Sequence, residues 1–223
     1  NLTSGTDLVR KAEGATVHAI GTPLITNSDG TKFGKSEGNA IWLDPELTSP
    51  YAFYQFWLNT ADADVADRLK VFTFRTREEI AELQRLTEEE PFRREAQKVL
   101  ASDVNTLVHG PEATRKAIEA SAAVFGKGSF EDLDEDTLAA VAAELPHAEV
   151  APGEHAVVDL LVATGLAESK SAARRTLKEG GASVNNRKLS GEDATLTADD
   201  LLHGRFALLR RGKKNLAAVT VGS

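Results

Sequence analysis

The feature that most constrains the fold is a series of helix start and stop signals between residues 48 and 146. Ser49 followed by Pro50 is typical of a helix N-cap and its first turn. Thr76, with Glu79 three residues later, forms the pattern of a capping box. Between these signals, apolar residues recur at the spacing of one helix face. The pattern predicts a helical bundle over residues 48–146.

Six helices follow from these signals. The first is crowded with aromatic side chains, which could either stack on nucleic acid bases or fill a core. A helix that is apolar on most sides is more often buried, so we favour the core. The helices are expected to start near Pro50, Asp64, Thr76, Pro91, Pro111 and Asp134.

The chain beyond the bundle is predicted to be an α+β tail. Residues 147–154 contain a Pro-Gly pair and lack periodicity, so we expect a linker there. The predicted fold is therefore mainly α with a small α+β domain over 155–223. Its expected elements are helices over 156–164 and 170–179, strands over 182–184 and 205–209, and a hairpin tip over 210–214.

Charge is distributed unevenly along the chain. The formal net charge is −8, yet residues 155–223 hold eleven Lys or Arg against seven Asp or Glu. Lys170, Arg174 and Lys178 recur at i, i+4 and i+8, along one face of a helix. A basic helix and a basic hairpin tip in one small domain favour docking on a phosphate backbone over an ordinary solvated surface. The candidate contacts are Lys170, Arg174, Arg175, Lys178, Arg210, Arg211, Lys213 and Lys214.

The composition excludes several classes of protein. The chain has no cysteine, and its five histidines are scattered without ligand spacing, so we predict no metal site. No apolar run approaches the roughly 18 residues of a membrane helix, and no signal peptide is recognisable. We therefore expect a cytoplasmic protein with no membrane partner. The chain also lacks Met, even at position 1, which indicates the C-terminal part of a longer protein.

A glycine-containing lysine loop follows the first twenty residues. Residues 1–21 are typical of the end of an α/β domain, with a helical stretch over 6–11 and a β-like stretch over 15–20. A turn over 27–30 then leads into Lys32-Phe33-Gly34-Lys35-Ser36. This loop could be a solvated turn, a P-loop or the mobile lysine loop of a class I aminoacyl-tRNA synthetase. The P-loop is disfavoured, because that motif needs four residues between its first glycine and Gly-Lys-Ser and a helix directly afterwards.

The surroundings of the loop favour the third interpretation. Residues 23–65, PLITNSDGTKFGKSEGNAIWLDPELTSPYAFYQFWLNTADADV, closely resemble bacterial tyrosyl-tRNA synthetases, whose lysine loop has the consensus KMSKS. The opening NLTSGTDLVRK resembles them as well. Since the similarity extends to residues 210–215, it covers essentially the whole chain.

The resemblance implies a domain order and a chemistry. Residues 1–47 would end a Rossmann-like catalytic domain, 48–146 would bind the anticodon, and 155–223 would be a small S4-like (alpha-L) RNA-binding domain. The family activates tyrosine with ATP, which Mg²⁺ accompanies, transfers it to tRNA(Tyr), and forms homodimers through the catalytic domain. By resemblance, Lys32 and Lys35 are catalytic; Lys32, Gly34, Lys35 and Ser36 bind ATP; and Arg10 and Lys11 face the tRNA acceptor stem.

Several alternatives stay open. Arg10 and Lys11 could equally be solvated charges at a helix end. Many family members carry Lys where this chain has Asn27, which would weaken the phosphate clamp. The polar loop over 59–64 could read an anticodon base, although we favour Asp62 or Asp64 as a cap of the next helix. The alternative function is a catalytically inactive RNA-binding fragment or accessory protein; the retained lysine loop argues against the accessory protein.

Overall fold

The structure is a computed structural model that describes residues 1–22, 24–28, 30–31, 33, 41–189 and 191–222. It divides into two compact units, residues 1–40 and 41–223. Helices predominate, and a small mixed sheet lies in the second unit. None of the helices in the described ranges is long and apolar enough to cross a membrane.

The first unit contains one helix, α1 (Leu2–Glu13), among its described residues. It is longer than the predicted stretch over 6–11, and Gly14 ends it in the left-handed region at φ 62°. Residues 15–20 are irregular and exposed, so the β-like prediction for them is wrong. A strand requires a pairing partner, and the described part of this unit offers residues 15–20 none.

Five helices form the first part of the second unit. Two of them start at the predicted caps: the Ser49 hydroxyl accepts the Ala52 N–H at 3.1 Å, and the capping box of Thr76 and Glu79 is complete. The helices are α2 (Pro50–Leu58), α3 (Asp62–Phe72), α4 (Arg77–Glu89), α5 (Glu95–Val124) and α6 (Glu135–Ala143).

Helix α5 contains the two predicted helices, which meet at a break at Gly110. Pro91–Arg93 form a 3₁₀ turn, and α5 starts at Glu95 after Arg94 takes a left-handed φ of 52°. Gly110 leaves helical geometry at φ 85° and ψ 169°, because the following Pro111 lacks an N–H and disfavours helical backbone before it. The predicted stop is therefore confirmed, as a break between the two helical segments of α5.

The remainder of this unit combines two helices with seven short strands. The larger sheet has the order β1-β7-β6-β3-β4, and β2 pairs with β5 apart from it. Its elements are β1 (His147–Val150), β2 (His155–Ala156), α7 (Val157–Ala163), α8 (Lys170–Lys178), β3 (Ala182–Val184), β4 (Arg187–Lys188), β5 (Thr195–Leu196), β6 (Phe206–Arg211) and β7 (Asn215–Val221).

The segment predicted as a linker contributes a strand. Residues 147–150 form β1, which pairs in parallel with residues 218–221 of β7. Ala218 N–H donates to the Pro146 carbonyl at 2.9 Å, and Gly222 N–H donates to the Val150 carbonyl at 3.0 Å. The two partners lie about seventy positions apart, so the local pattern did not indicate the pairing.

Helices cover both faces of β6. Ala207 and Leu209 belong to an apolar cluster with α7 and α8. Phe206 and Leu208 belong to a second cluster, in which Ala120 of α5 is one of the residues from the helical bundle. Because side chains alternate across a strand, one short segment joins the two cores. The bundle and the sheet therefore share a continuous hydrophobic core, and residues 146–155 do not separate them as a linker would.

We predict that the shared core makes residues 41–223 unfold as one cooperative unit. Leu208→Ala and Leu209→Ala form a matched pair, since both side chains are fully buried on opposite faces of β6. Each should lower the free energy of unfolding by about 2–5 kcal/mol. Circular dichroism of the helices and hydrogen exchange in β6 should give one coincident denaturant transition for both variants. Two separate transitions would contradict the shared core.

Asp134 generates a pH-dependent prediction. Lys116 Nζ lies 2.8 Å from its carboxylate, which also accepts the Thr137 N–H at 2.8 Å and so caps α6. These hydrogen bonds lower the pKa of Asp134 from 3.8 to about 2. Since the folded-state pKa is lowered, this stabilisation is present above pH 4 and is lost as the pH falls through about 2.

Asp134→Asn should therefore lower the free energy of unfolding at pH 7 by about 1 kcal/mol, a value discounted because the carboxylate is partly solvent-screened. The deficit should shrink when urea unfolding is repeated towards pH 2. Asp136→Asn, an exposed change in the same first turn, is the control. An equal deficit at pH 7 and near pH 2 would show that the ionised carboxylate contributes nothing.

Candidate nucleic-acid interface

The turn before the lysine loop is fastened by Asn27. Its N–H donates to the Thr31 carbonyl at 2.8 Å, and its side-chain amide donates to the Thr31 hydroxyl at 2.9 Å. Gly30 adopts a φ of 83°, which favours glycine at this position. Asn27 therefore has a local structural role of its own. Lys32, Gly34, Lys35 and Ser36 lie outside the described residues.

Arg10 and Lys11 lie in the last turn of α1. Both reach the carboxylate of Asp7, at 2.6 Å each, and both side chains remain largely exposed. Cations at the C-terminal end of a helix also interact favourably with its dipole. Arg10 and Lys11 therefore have a structural role within α1. Their contact with RNA stays a prediction.

Helix α8 presents an exposed basic face, as its periodicity predicted. The Ser169 hydroxyl accepts the Ala172 N–H at 3.2 Å and starts the helix. Ala173 and Leu177 are buried against the sheet side, which leaves the basic residues on the exposed side. The exposed basic residues are Lys170, Arg174, Arg175 and Lys178.

The four basic residues of α8 differ in their partners. Lys170 lies 2.8 Å from Asp159, and Lys178 lies 4.0 Å from Glu192. Within the described residues, Arg174 and Arg175 form no ion pair, although both are exposed. Two uncompensated guanidinium groups at the centre of the face are the donors most available to a phosphate backbone.

The hairpin tip lies beside the end of α8. Gly212, at φ 64°, donates its N–H to the Gly181 carbonyl at 2.8 Å, three residues beyond the helix. Arg211 Nη1 donates to the Leu166 carbonyl at 2.7 Å, in the turn before α8. Lys213 and Lys214 are exposed at the tip. These hydrogen bonds place the hairpin tip next to α8. We call the exposed cations of the two elements the basic face: Lys170, Arg174, Arg175, Lys178, Lys213 and Lys214.

Arg210 does not belong to the basic face. Its side chain is buried, and Nη2 donates to the Val124 carbonyl at 2.8 Å and to Asn186 Oδ1 at 3.0 Å. Burial lowers the pKa of its guanidinium. The expectation that Arg210 contacts RNA therefore needs correction. Neighbouring residues of a strand point to opposite faces, and here helix α5 covers the face of Arg210.

Lys188 is a basic residue that the sequence analysis did not single out. It is exposed on β4, the edge strand next to β3, where it pairs in register with Ser183. Its neighbour Arg187 forms an ion pair with Asp200. Two adjacent cations directly after the Asn185-Asn186 turn could have indicated a further basic site, but a two-residue strand is too short to predict from the sequence.

The polar loop before α3 is tied to the bundle. Asp62 Oδ1 accepts Gln97 Nε2 at 2.5 Å and lies 3.9 Å from Arg94. Ala61 occupies the N-cap position of α3 and makes no side-chain cap, so the expectation of an aspartate cap is wrong. The Asp62 carboxylate instead accepts a hydrogen bond from Gln97 of α5. The Gln97 side chain is buried, and a buried amide needs a polar partner.

Among the described residues, no three His, Asp or Glu side chains converge as metal ligands do. The family described as tRNA synthetases class I (W and Y) matches residues 1–126, and the Tyrosine--tRNA ligase SYY-like C-terminal domain matches residues 137–219. This chain belongs to the class I tRNA synthetases. The second match begins within α6, so it includes the helix that packs against the sheet.

Curated relatives agree with the family. A tyrosine–tRNA ligase of Streptomyces avermitilis is 60% identical over 222 residues, covering 99% of this chain and 52% of its own length. A tyrosine–tRNA ligase of Leifsonia xyli is also 60% identical, covering 99% of this chain and 50% of its own length. The chain spans about half the length of the curated relatives it matches.

The C-terminally truncated mitochondrial tyrosyl-tRNA synthetase of Coccidioides posadasii is 39% identical over 44% of this chain and 25% of that chain, with a TM-score of 0.38. This score is too low to establish a shared fold, so the family assignment comes from the sequence comparisons.

Proposed function

We propose that the protein containing this chain is a tyrosine–tRNA ligase. The observation that carries the proposal is the 60% identity to a tyrosine–tRNA ligase over 99% of the chain. The reaction has two steps. The carboxylate of tyrosine attacks the α-phosphate of ATP and expels pyrophosphate, and a terminal ribose hydroxyl of tRNA(Tyr) then attacks the activated carbonyl and releases AMP.

In this proposal, the chain contributes the lysine loop to the first step. Lys32 and Lys35 would neutralise charge that builds on the leaving pyrophosphate, which stabilises the transition state more than bound ATP. Gly34 would let the backbone approach the phosphates, and Ser36 would add a hydroxyl donor. Mg²⁺ would accompany ATP. The turn fastened by Asn27 supports the start of this loop, although Asn27 cannot supply the positive charge of a lysine.

The second unit would bind tRNA. The helical bundle over 48–146 would take the anticodon side, and the S4-like domain over 155–223 would grip the backbone through the basic face. Arg211 would act mainly by holding the turn before α8. In the first unit, Arg10 and Lys11 would lie towards the acceptor stem. Homodimerisation through the catalytic domain and a cytoplasmic location complete the proposal.

The role of the lysine loop predicts a specific kinetic defect. Lys35→Ala in the full-length ligase should slow tyrosyl-adenylate formation by about 10²–10³-fold, as for loss of one transition-state donor. Tyrosine binding should barely change. Lys213→Ala, on the hairpin tip, is the control and should adenylate at the normal rate. Pre-steady-state pyrophosphate release measures both, and a normal rate for Lys35→Ala would contradict the role.

The basic face predicts a change in salt dependence. Arg174→Gln/Arg175→Gln should weaken binding of a tRNA(Tyr) transcript and reduce the slope of log affinity against log salt by about 1.5, since two phosphate contacts are lost. Arg187→Gln/Arg205→Gln removes the same charge from exposed side chains outside the basic face, which are paired with Asp200 and Glu135, and is the matched control. Filter binding across a salt series gives both slopes, and equal slopes would refute the assignment.

A further inference from the structure

The last turn of α5 ends against the tail. Helix ends leave carbonyl groups without intrahelical partners. Here the Val124 carbonyl accepts Arg210 Nη2 at 2.8 Å. Asn186 Nδ2 bridges the Ala123 carbonyl at 3.2 Å and the Gly128 carbonyl at 3.3 Å. A helix of the bundle is therefore capped by two side chains that lie more than fifty residues further along the chain.

The two capping side chains also hold each other. Asn186 Oδ1 accepts both Nη2 and Nε of Arg210, at 3.0 and 3.3 Å. Arg210 pairs with Ser183 of β3, and Asn186 lies in the tight turn between β3 and β4 with a φ of 64°. The turn and the strand thus present one donor array to α5. The positive guanidinium also suits the negative end of the helix dipole.

Further polar contacts lie along the same junction. His203 Nε2 is 2.8 Å from the Leu133 carbonyl, and Arg205 Nη1 is 3.0 Å from Glu135 at the start of α6. Beneath them lies the apolar cluster that Phe206 and Leu208 share with the bundle. Apolar contact is non-directional, whereas hydrogen bonds require particular distances and angles. The polar contacts therefore add directional restraints to the orientation that the shared core already limits.

We propose that Asn186 and Arg210 are positioning residues, which clamp the tail to the end of α5 and so hold the basic face at one orientation relative to the helical bundle. The part concerning RNA rests on the proposed function. Neither side chain needs to touch RNA. A tRNA that contacts both the bundle and the basic face would then bind two surfaces whose separation is already fixed. Binding would therefore cost less conformational entropy of the protein.

Orientation can be measured without RNA. The chain has no cysteine, so Glu78→Cys in α4 and Glu168→Cys before α8 introduce two unique exposed sites for spin labels. Two variants are made in this background. Asn186→Gly removes the amide and tolerates the positive φ, and Arg210→Met removes the guanidinium but keeps an apolar stem. Arg187→Met is the matched control, because its ion pair with Asp200 stays within the tail.

Asn186→Gly and Arg210→Met should broaden the label-to-label distance distribution about twofold, as rigid-body freedom appears at the junction. Arg187→Met should leave it narrow. Arg210→Lys retains the charge but not the forked donors, and should give an intermediate width; it also serves if Arg210→Met fails to fold. Narrow distributions in all folded variants would overturn the inference.

RNA binding provides the second readout. Asn186→Gly should weaken binding of a tRNA(Tyr) transcript about fivefold, typical of a lost coupling between two sites. Its salt slope should stay unchanged, since the cations of the basic face remain. A reduced slope would mean that Asn186 disturbs the basic face itself and would overturn the positioning role. If the unaltered full-length protein fails to bind the transcript, the proposed function fails, while the distance measurement still tests the positioning role of Asn186 and Arg210.

Discussion

The structure of residues 41–223 depends on the burial of β6 from both sides. Its alternating side chains supply Ala207 and Leu209 to one core and Phe206 and Leu208 to the other. Over its first four residues both faces of β6 are covered, and this Phe-Ala-Leu-Leu run is accordingly continuously apolar. Helices α7 and α8 on one side and the bundle on the other are thereby fixed to the same backbone.

The two neighbouring arginines at the end of β6 have different environments, because the strand is covered differently on its two faces. Arg210 is enclosed, and its guanidinium is satisfied by carbonyl and amide oxygens of the helix end and the β3–β4 turn. Arg211 faces the other way and braces the turn before α8. Lys213 and Lys214, beyond the strand, remain exposed. A guanidinium can be buried in this way because its planar fork satisfies several acceptors at once.

Sequence alone predicted the features that depend on near neighbours. The caps at Ser49 and Thr76, the exposed face of α8 and the stop at Gly110 follow from residues within a few positions. The parallel pairing of β1 and the burial of Arg210 depend on residues seventy or more positions away, which no local pattern encodes. For the candidate site, composition and helical period identified the cations, but only the tertiary fold separated the buried arginine from the exposed ones.

The pairing of β1 with β7 has a consequence for how the chain is made. Synthesis proceeds from the N-terminus, so β1 is made well before residues 215–221 exist to pair with it. At the usual rates of elongation this interval is roughly 4 to 14 seconds. During that time the backbone groups of β1 must remain solvated, and its short length and the charged Glu149 at its centre make it a poor template for pairing with other nascent chains.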